Sequence, residues 1–105
     1  MTKLDTKDLL SLNPLLTDKV RLAIVVTLST SEDALDFKTL LEQLELSKGN
    51  LSSHMRKLEE AGFVEIHKEF LDRKPRTTYS VTDECRKELK TYLETIEGWL
   101  TSAQG

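Results

Sequence analysis

The chain of 105 residues and 12.0 kDa has the length of one domain and leaves no room for a second core. Hydrophobic residues make up 38% and charged residues 31%, enough for a small core but not for an enzyme built around a deep cavity. The net charge of −3 argues against indiscriminate nucleic-acid binding, and the longest apolar run, residues 22–26, falls far short of the roughly 20 needed to span a bilayer.

The amino-terminal residues interleave acids with apolar residues and show no secretory pattern, so the cytoplasm is the expected compartment. One cysteine, Cys85, allows no internal disulfide, and no Cys/His set has zinc spacing. Neither a metal nor a cofactor is expected. There is no glycine-rich phosphate loop, nucleophile elbow or paired acid in an apolar setting, so the chain does not read as an enzyme.

In chain order, residues 6–12 hold Leu9, Leu10 and Leu12 among polar residues and stop at Asn13-Pro14, which predicts a short helix. Residues 17–28 carry Val20, Ala23, Ile24, Val25, Val26 and Leu28 behind Thr17-Asp18, predicting the most buried helix. The β-branched valines would also suit a strand. Length and the capping signal decide for helix. After a polar loop, Ala34-Leu35 reads as a very short strand, and Asp36 as the cap of an amphipathic helix on Phe37, Leu40, Leu41 and Leu44. Glu45-Leu46 is a brief connection. Ser47 caps a further helix running to about Ala61, closed by Gly62 in a left-handed conformation. Two helices joined by so short a turn form a helix-turn-helix.

The period then changes. Phe63, Val64, Ile66, Phe70 and Leu71 against Glu65, His67 and Lys68 predict a strand, and residues 77–81 its partner, with Asp72-Arg73-Lys74-Pro75-Arg76 as a charged hairpin tip stiffened by proline. Thr82-Asp83-Glu84 opens a long last helix to about Ala103, with Leu89, Leu93, Ile96 and Leu100 in helical register. The fold class is mainly α with a small hairpin. It is one domain over residues 1–105, a three-helix core with a two-stranded wing and a long terminal helix.

Charge is unevenly spread. Residues 47–76 hold seven basic against five acidic side chains, +2, leaving −5 on the remainder. The basic residues fall on the third core helix and the hairpin tip. The runs Leu46-Ser47-Lys48-Gly49-Asn50-Leu51-Ser52-Ser53-His54, Leu58-Glu59-Glu60-Ala61-Gly62-Phe63-Val64 and Arg73-Lys74-Pro75-Arg76-Thr77-Thr78-Tyr79 resemble the small winged helix-turn-helix transcriptional regulators related to the MarR and ArsR groups. The resemblance covers about residues 20–93. Where such proteins usually show Gly before Arg in Thr-x-x-Gly-Arg, this chain has Cys85, a departure that bears on how closely the last helix packs. The resemblance implies dimerisation through terminal helices and binding to pseudo-palindromic operators.

At about 100° per residue, Leu51, Met55, Leu58 and Gly62 share the buried side of the third helix, and Asn50, Ser52, Ser53, Arg56 and Lys57 point away from it. A major groove accepts such a helix. Asn50, Ser52 and Ser53 can bond base edges or phosphates, Arg56 can take guanine bidentately, and Lys48 and Lys57 suit phosphates. The plain alternative is a solvated face. Arg73, Lys74 and Arg76 on a stiff wing suit the strongly negative minor groove, with Thr77 and Thr78 as added phosphate contacts; the plain alternative is a merely soluble hairpin.

His54, at the edge of the buried side, reads as a packed or half-buried histidine rather than a ligand or catalyst, with contact to a DNA phosphate as a further option. Cys85, in a first helical turn beside Arg86, has a dipole and a cation that lower a thiol pKa; packing is the preferred reading over redox sensing. Leu9, Leu10, Tyr92, Ile96, Trp99 and Leu100, together with Leu4, exceed what one small core needs and point to a homodimer.

The preferred function is therefore a sequence-specific regulator of double-stranded DNA, a repressor acting as a cytoplasmic homodimer. The alternative is a winged-helix protein-interaction module without DNA function, against which the clustered wing cations and the lack of aromatic anchors on the exposed helix face weigh.

Overall fold

Local capping sets the helical framework, and the computed structural model describes residues 5–104 of it. A 3-10 helix, Thr6–Ser11, is followed by a single helical turn α1 (Pro14–Thr17), capped by Asn13. The long apolar helix α2 (Lys19–Thr30) starts two residues later than position 17, because the Asp18 carboxylate accepts the N–H groups of Val20 (2.9 Å) and Arg21 (3.1 Å) and so fixes the first turn. Those bonds hold the Asp18 carboxyl below the usual carboxylate range, the Arg21 N–H contributing most.

The short strand is Leu35–Asp36 (β1), and α3 (Phe37–Leu44) follows with Asp36 accepting the Thr39 N–H at 2.7 Å. Glu45, at φ 52°, ends α3 in the left-handed region without a glycine. Ser47 caps α4 (Lys48–Glu60) by accepting the Asn50 N–H at 3.1 Å. Its other end is a Schellman closure. Gly62, at φ +76°, donates to Glu59 O (3.0 Å), and Phe63 donates to Leu58 O (2.8 Å).

Strands β2 (Val64–Leu71) and β3 (Lys74–Val81) pair antiparallel from Val64 opposite Val81 to Leu71 opposite Lys74. Two expectations change here. The hairpin tip is only Asp72-Arg73, both at positive φ (52° and 66°), a two-residue turn whose twist matches the strands. Lys74, Pro75 and Arg76 therefore belong to β3, and Pro75 faces Phe70 across the ladder. The sheet is also three-stranded, in the order β1-β3-β2, because Leu35 and Asp36 pair with Tyr79 and Thr78. β1 stops short of Pro75, so the missing N–H there interrupts no ladder on that side.

Helix α5 (Asp83–Gln104) begins at a knot beside the end of α4. The Thr82 hydroxyl donates to Gly62 O (2.7 Å) and accepts the Cys85 N–H (3.2 Å), while the Thr82 N–H reaches Phe63 O (3.1 Å). The core runs through Leu16, Ile24, Val25 and Leu28, then Leu40, then Leu51, Met55 and Leu58, and on to Phe63, Val64, Val81, Cys85 and Leu89. Cys85 is wholly buried, so the first turns of α5 pack tightly despite the larger residue. Beyond Tyr92 the helix leaves the core. Its 22 residues span about 33 Å of a molecule whose longest extent is 57 Å against 24 Å across.

Candidate nucleic-acid interface

Along α4 the spacing of Leu51, Met55 and Leu58 buries one stripe and thereby turns the other side outward. Lys48, Asn50, Ser52, Ser53, Arg56 and Lys57 are all exposed, as their positions around the helix predict. On the wing, Arg73, Lys74 and Arg76 are exposed, Arg73 in the turn and the other two on β3. Among the described residues none of these five Lys and Arg side chains outside position 48, nor Lys48 itself, takes an ion pair; the pairs present are Lys7–Asp5, Arg21–Asp18 and Lys90–Glu94. Unpaired cations are free to meet an external anion.

The structure ties three of the wing residues more closely to the body than the sequence suggested. Arg76 lies near enough to Asp36 to add to the lowering of that carboxyl, which the Thr39 hydroxyl and N–H dominate. Thr77 is half-buried, and Thr78 is 5% exposed, so Thr78 is a sheet residue rather than a phosphate contact. Phe70 is 79% exposed and Leu71 52%. Their alternation reads as a strand in sequence, but the strand has outrun the core, and only pairing length reveals that.

His54 is half-buried as expected, with a partner that the sequence did not suggest. Arg21 Nη1 donates to His54 Nδ1 at 3.1 Å, joining α2 to α4. On the opposite edge of α4, burial raises the Tyr79 hydroxyl pKa and the Glu59 charge adds to it, which places α4 against the root of the wing.

Cys85 is packed, as the sequence favours, but its thiol shifts opposite to the direction that the helix terminus and Arg86 suggest. Burial pushes its thiol up to about 11, outweighing Arg86. The residue is a packed, protonated thiol, because loss of solvent acts on the thiolate more strongly than one helix terminus and an exposed cation.

Of the apolar residues beyond the core, Leu9 (37%), Leu10 (88%), Ile96 (39%) and Leu100 (58%) are exposed, and Leu93 (48%) joins them on α5. Tyr92 is half-buried against its own core, and Trp99 is half-buried with an indole N–H sealed from solvent and without an acceptor among the described residues. Leu4 lies outside the described residues. A shallow groove of about 300 Å³ is lined by Ser29, Arg86, Leu89 and Leu93 among others, and at its edge Arg86 Nη1 donates to Ser29 O at 3.3 Å. Among the described residues no helix is long and apolar enough to cross a membrane.

Residues 20–100 match the winged helix DNA-binding domain family. The chain belongs to that family. The match spans both α4 and the wing and carries the cations of each. A transcriptional regulator homologue from Pyrococcus horikoshii OT3 has a similar structure, with a TM-score of 0.83 and 31% identity over 93% of this chain and 98% of that one. A structure from Enterococcus faecalis V583, described as a MarR-family transcriptional regulator, shares the fold at TM-score 0.72 and 23% identity, covering 99% of this chain and 93% of its own. An uncharacterized protein of Methanocaldococcus jannaschii is 39% identical over 61 residues, 58% of this chain. The matched part is 66% of that relative's length. The winged-helix family is one of DNA-binding domains, not of enzymes.

Proposed function

We propose that this winged-helix protein is a sequence-specific transcriptional regulator that binds double-stranded DNA as a cytoplasmic homodimer and represses by occupying a promoter. Helix α4 enters the major groove, with Arg56 reading a guanine, Asn50, Ser52 and Ser53 bonding base edges or phosphates, and Lys48 and Lys57 on phosphates. Arg73, Lys74 and Arg76 lie along the adjoining minor groove, with Thr77 beside them. The observation that carries the reading is the set of exposed Lys and Arg side chains on α4 and β3 that take no ion pair among the described residues.

The homodimer reading draws on the exposed row Leu93, Ile96 and Leu100, on Leu9 and Leu10, and on the unpartnered indole of Trp99. A second copy of α5 would cover that row, with Tyr92 at its inner end. Two recognition helices about one helical turn, roughly 10 base pairs, apart would then meet successive major grooves.

Fluorescence anisotropy of a labelled mixed-sequence duplex tests the reading. Roughly four phosphates per protomer predict log affinity falling against log salt with a slope near −7 for a dimer. A slope shallower than about −2, or no binding by folded protein at low salt, overturns it and favours a protein partner. Sedimentation of wild type against Ile96→Glu/Leu100→Glu tests the dimer: the variant should run as a monomer.

A further inference from the structure

We infer that His54 donates a hydrogen bond from Nε2 to a DNA phosphate, with Arg21 as the residue that sets its tautomer and orientation. The inference rests on the DNA-binding reading above and adds a contact that charge alone would not reveal.

The Arg21 side chain is only 12% exposed and is held on several sides. Its Nε donates to Leu15 O (2.9 Å), its Nη2 to Pro14 O (3.3 Å) and its Nη1 to His54 Nδ1 (3.1 Å), with the Asp18 carboxylate 3.9 Å from Nη1. A guanidinium keeps its proton and has donors only. His54 Nδ1 therefore accepts, and the ring proton sits on Nε2. That nitrogen takes no partner among the described residues and is not sealed from solvent. It is an oriented donor without an acceptor.

Its position on α4 identifies the acceptor. Asn50, His54 and Lys57 are spaced four and three apart and form one ridge beside the buried row Leu51, Met55 and Leu58. The opposite edge carries Glu59, whose charge is felt by Tyr79 at the root of the wing. Base edges are met by the side of α4 that points directly away from the core, where Ser53 and Arg56 stand. The edge residues instead border the groove wall, which is sugar and phosphate. A strand running along the edge away from the wing would meet an amide, an imidazole N–H and an ammonium in turn. The Arg21 charge behind the ring polarises it and strengthens Nε2–H as a donor to an anionic oxygen.

Two substitutions separate this role from packing. In His54→Asn the amide reaches only as far as Nδ1, so the Arg21 contact is kept and the outward donor is lost. In His54→Gln the amide NH₂ reaches the position of Nε2. Binding to the labelled mixed duplex, salt slope and thermal midpoint are measured for both. His54→Asn should melt with wild type and bind about tenfold more weakly per protomer, the worth of roughly 1.4 kcal/mol. Its salt slope should be unchanged, because no charge is removed. His54→Gln should bind within about threefold of wild type. Wild-type affinity in His54→Asn, equal losses in both variants, or a slope reduced by about one per protomer would each overturn the inference. Failure of wild type itself to bind the duplex would remove the DNA reading and this inference with it.

Discussion

Helix α4 and the wing carry similar charges on unlike supports. α4 rests on Leu51 and Leu58, both fully buried, and is capped at one end by Ser47 and closed at the other by Gly62. From Lys68 to Arg76 every wing residue is exposed, so that part of the hairpin stands on its own ladder and on a two-residue turn. The helix thus takes its orientation from the core, and the wing tip takes its from local pairing. Disturbing the core should damage both surfaces, whereas disturbing the wing tip should leave the fold untouched.

The strongest way to break this contrast is Leu51→Ala. Removing a fully buried leucine under α4 should cost about 3–4 kcal/mol, read as a fall in urea midpoint, and should weaken binding through loss of folded protein. A cost under about 1 kcal/mol would mean that the core does not anchor the helix.

A second test uses the core side at α5. Below about pH 9 the Cys85 thiol is protonated whether the chain is folded or not; above it the unfolded chain ionises first. Stability should therefore fall as pH climbs from about 9 toward about 11, by on the order of 2–3 kcal/mol. The native thiol should also resist alkylation at neutral pH until the chain unfolds. Rapid native labelling would contradict the packing described here.

On the wing side, Arg73→Ala/Arg76→Ala should leave stability within about 0.5 kcal/mol of wild type. It should weaken binding to all sequences and make the salt slope shallower by about 3 to 4 for a dimer. Arg56→Ala, by contrast, should relax preference at one base pair by about 1–3 kcal/mol. Equal effects of the two changes on sequence preference would erase the division between a reading helix and a positioning wing. The smallest effect is expected where the surfaces meet: Asp36→Ala removes the α3 cap beside Arg76 and should cost about 1 kcal/mol in thermal or urea unfolding.

The elements that the sequence announced are those fixed by neighbours in the chain. Asp36, Ser47 and Gly62 act within a few residues of themselves, and their caps stand where the residue types suggest. The outward side of α4 was equally legible, because helical periodicity alone separates Arg56 and Lys57 from Leu51 and Met55. The hairpin tip was misjudged because Asp72 and Arg73 adopt positive φ without glycine, so the proline three residues along drew the turn toward itself. The Thr78 side chain, the direction of the Cys85 shift and the Arg21–His54 bond all depend on residues 30 or more positions away or on burial.

By itself the sequence determined the order of the main elements, the caps of α3 and α4 and the two clusters of basic residues, since these follow from periodicity, capping and composition. Only the tertiary structure decided that β1 joins the hairpin as a third strand, that Cys85 is sealed into the core, and that Arg21 holds the ring of His54. Each of those outcomes is set by which distant surfaces meet and exclude water, and no local preference encodes that.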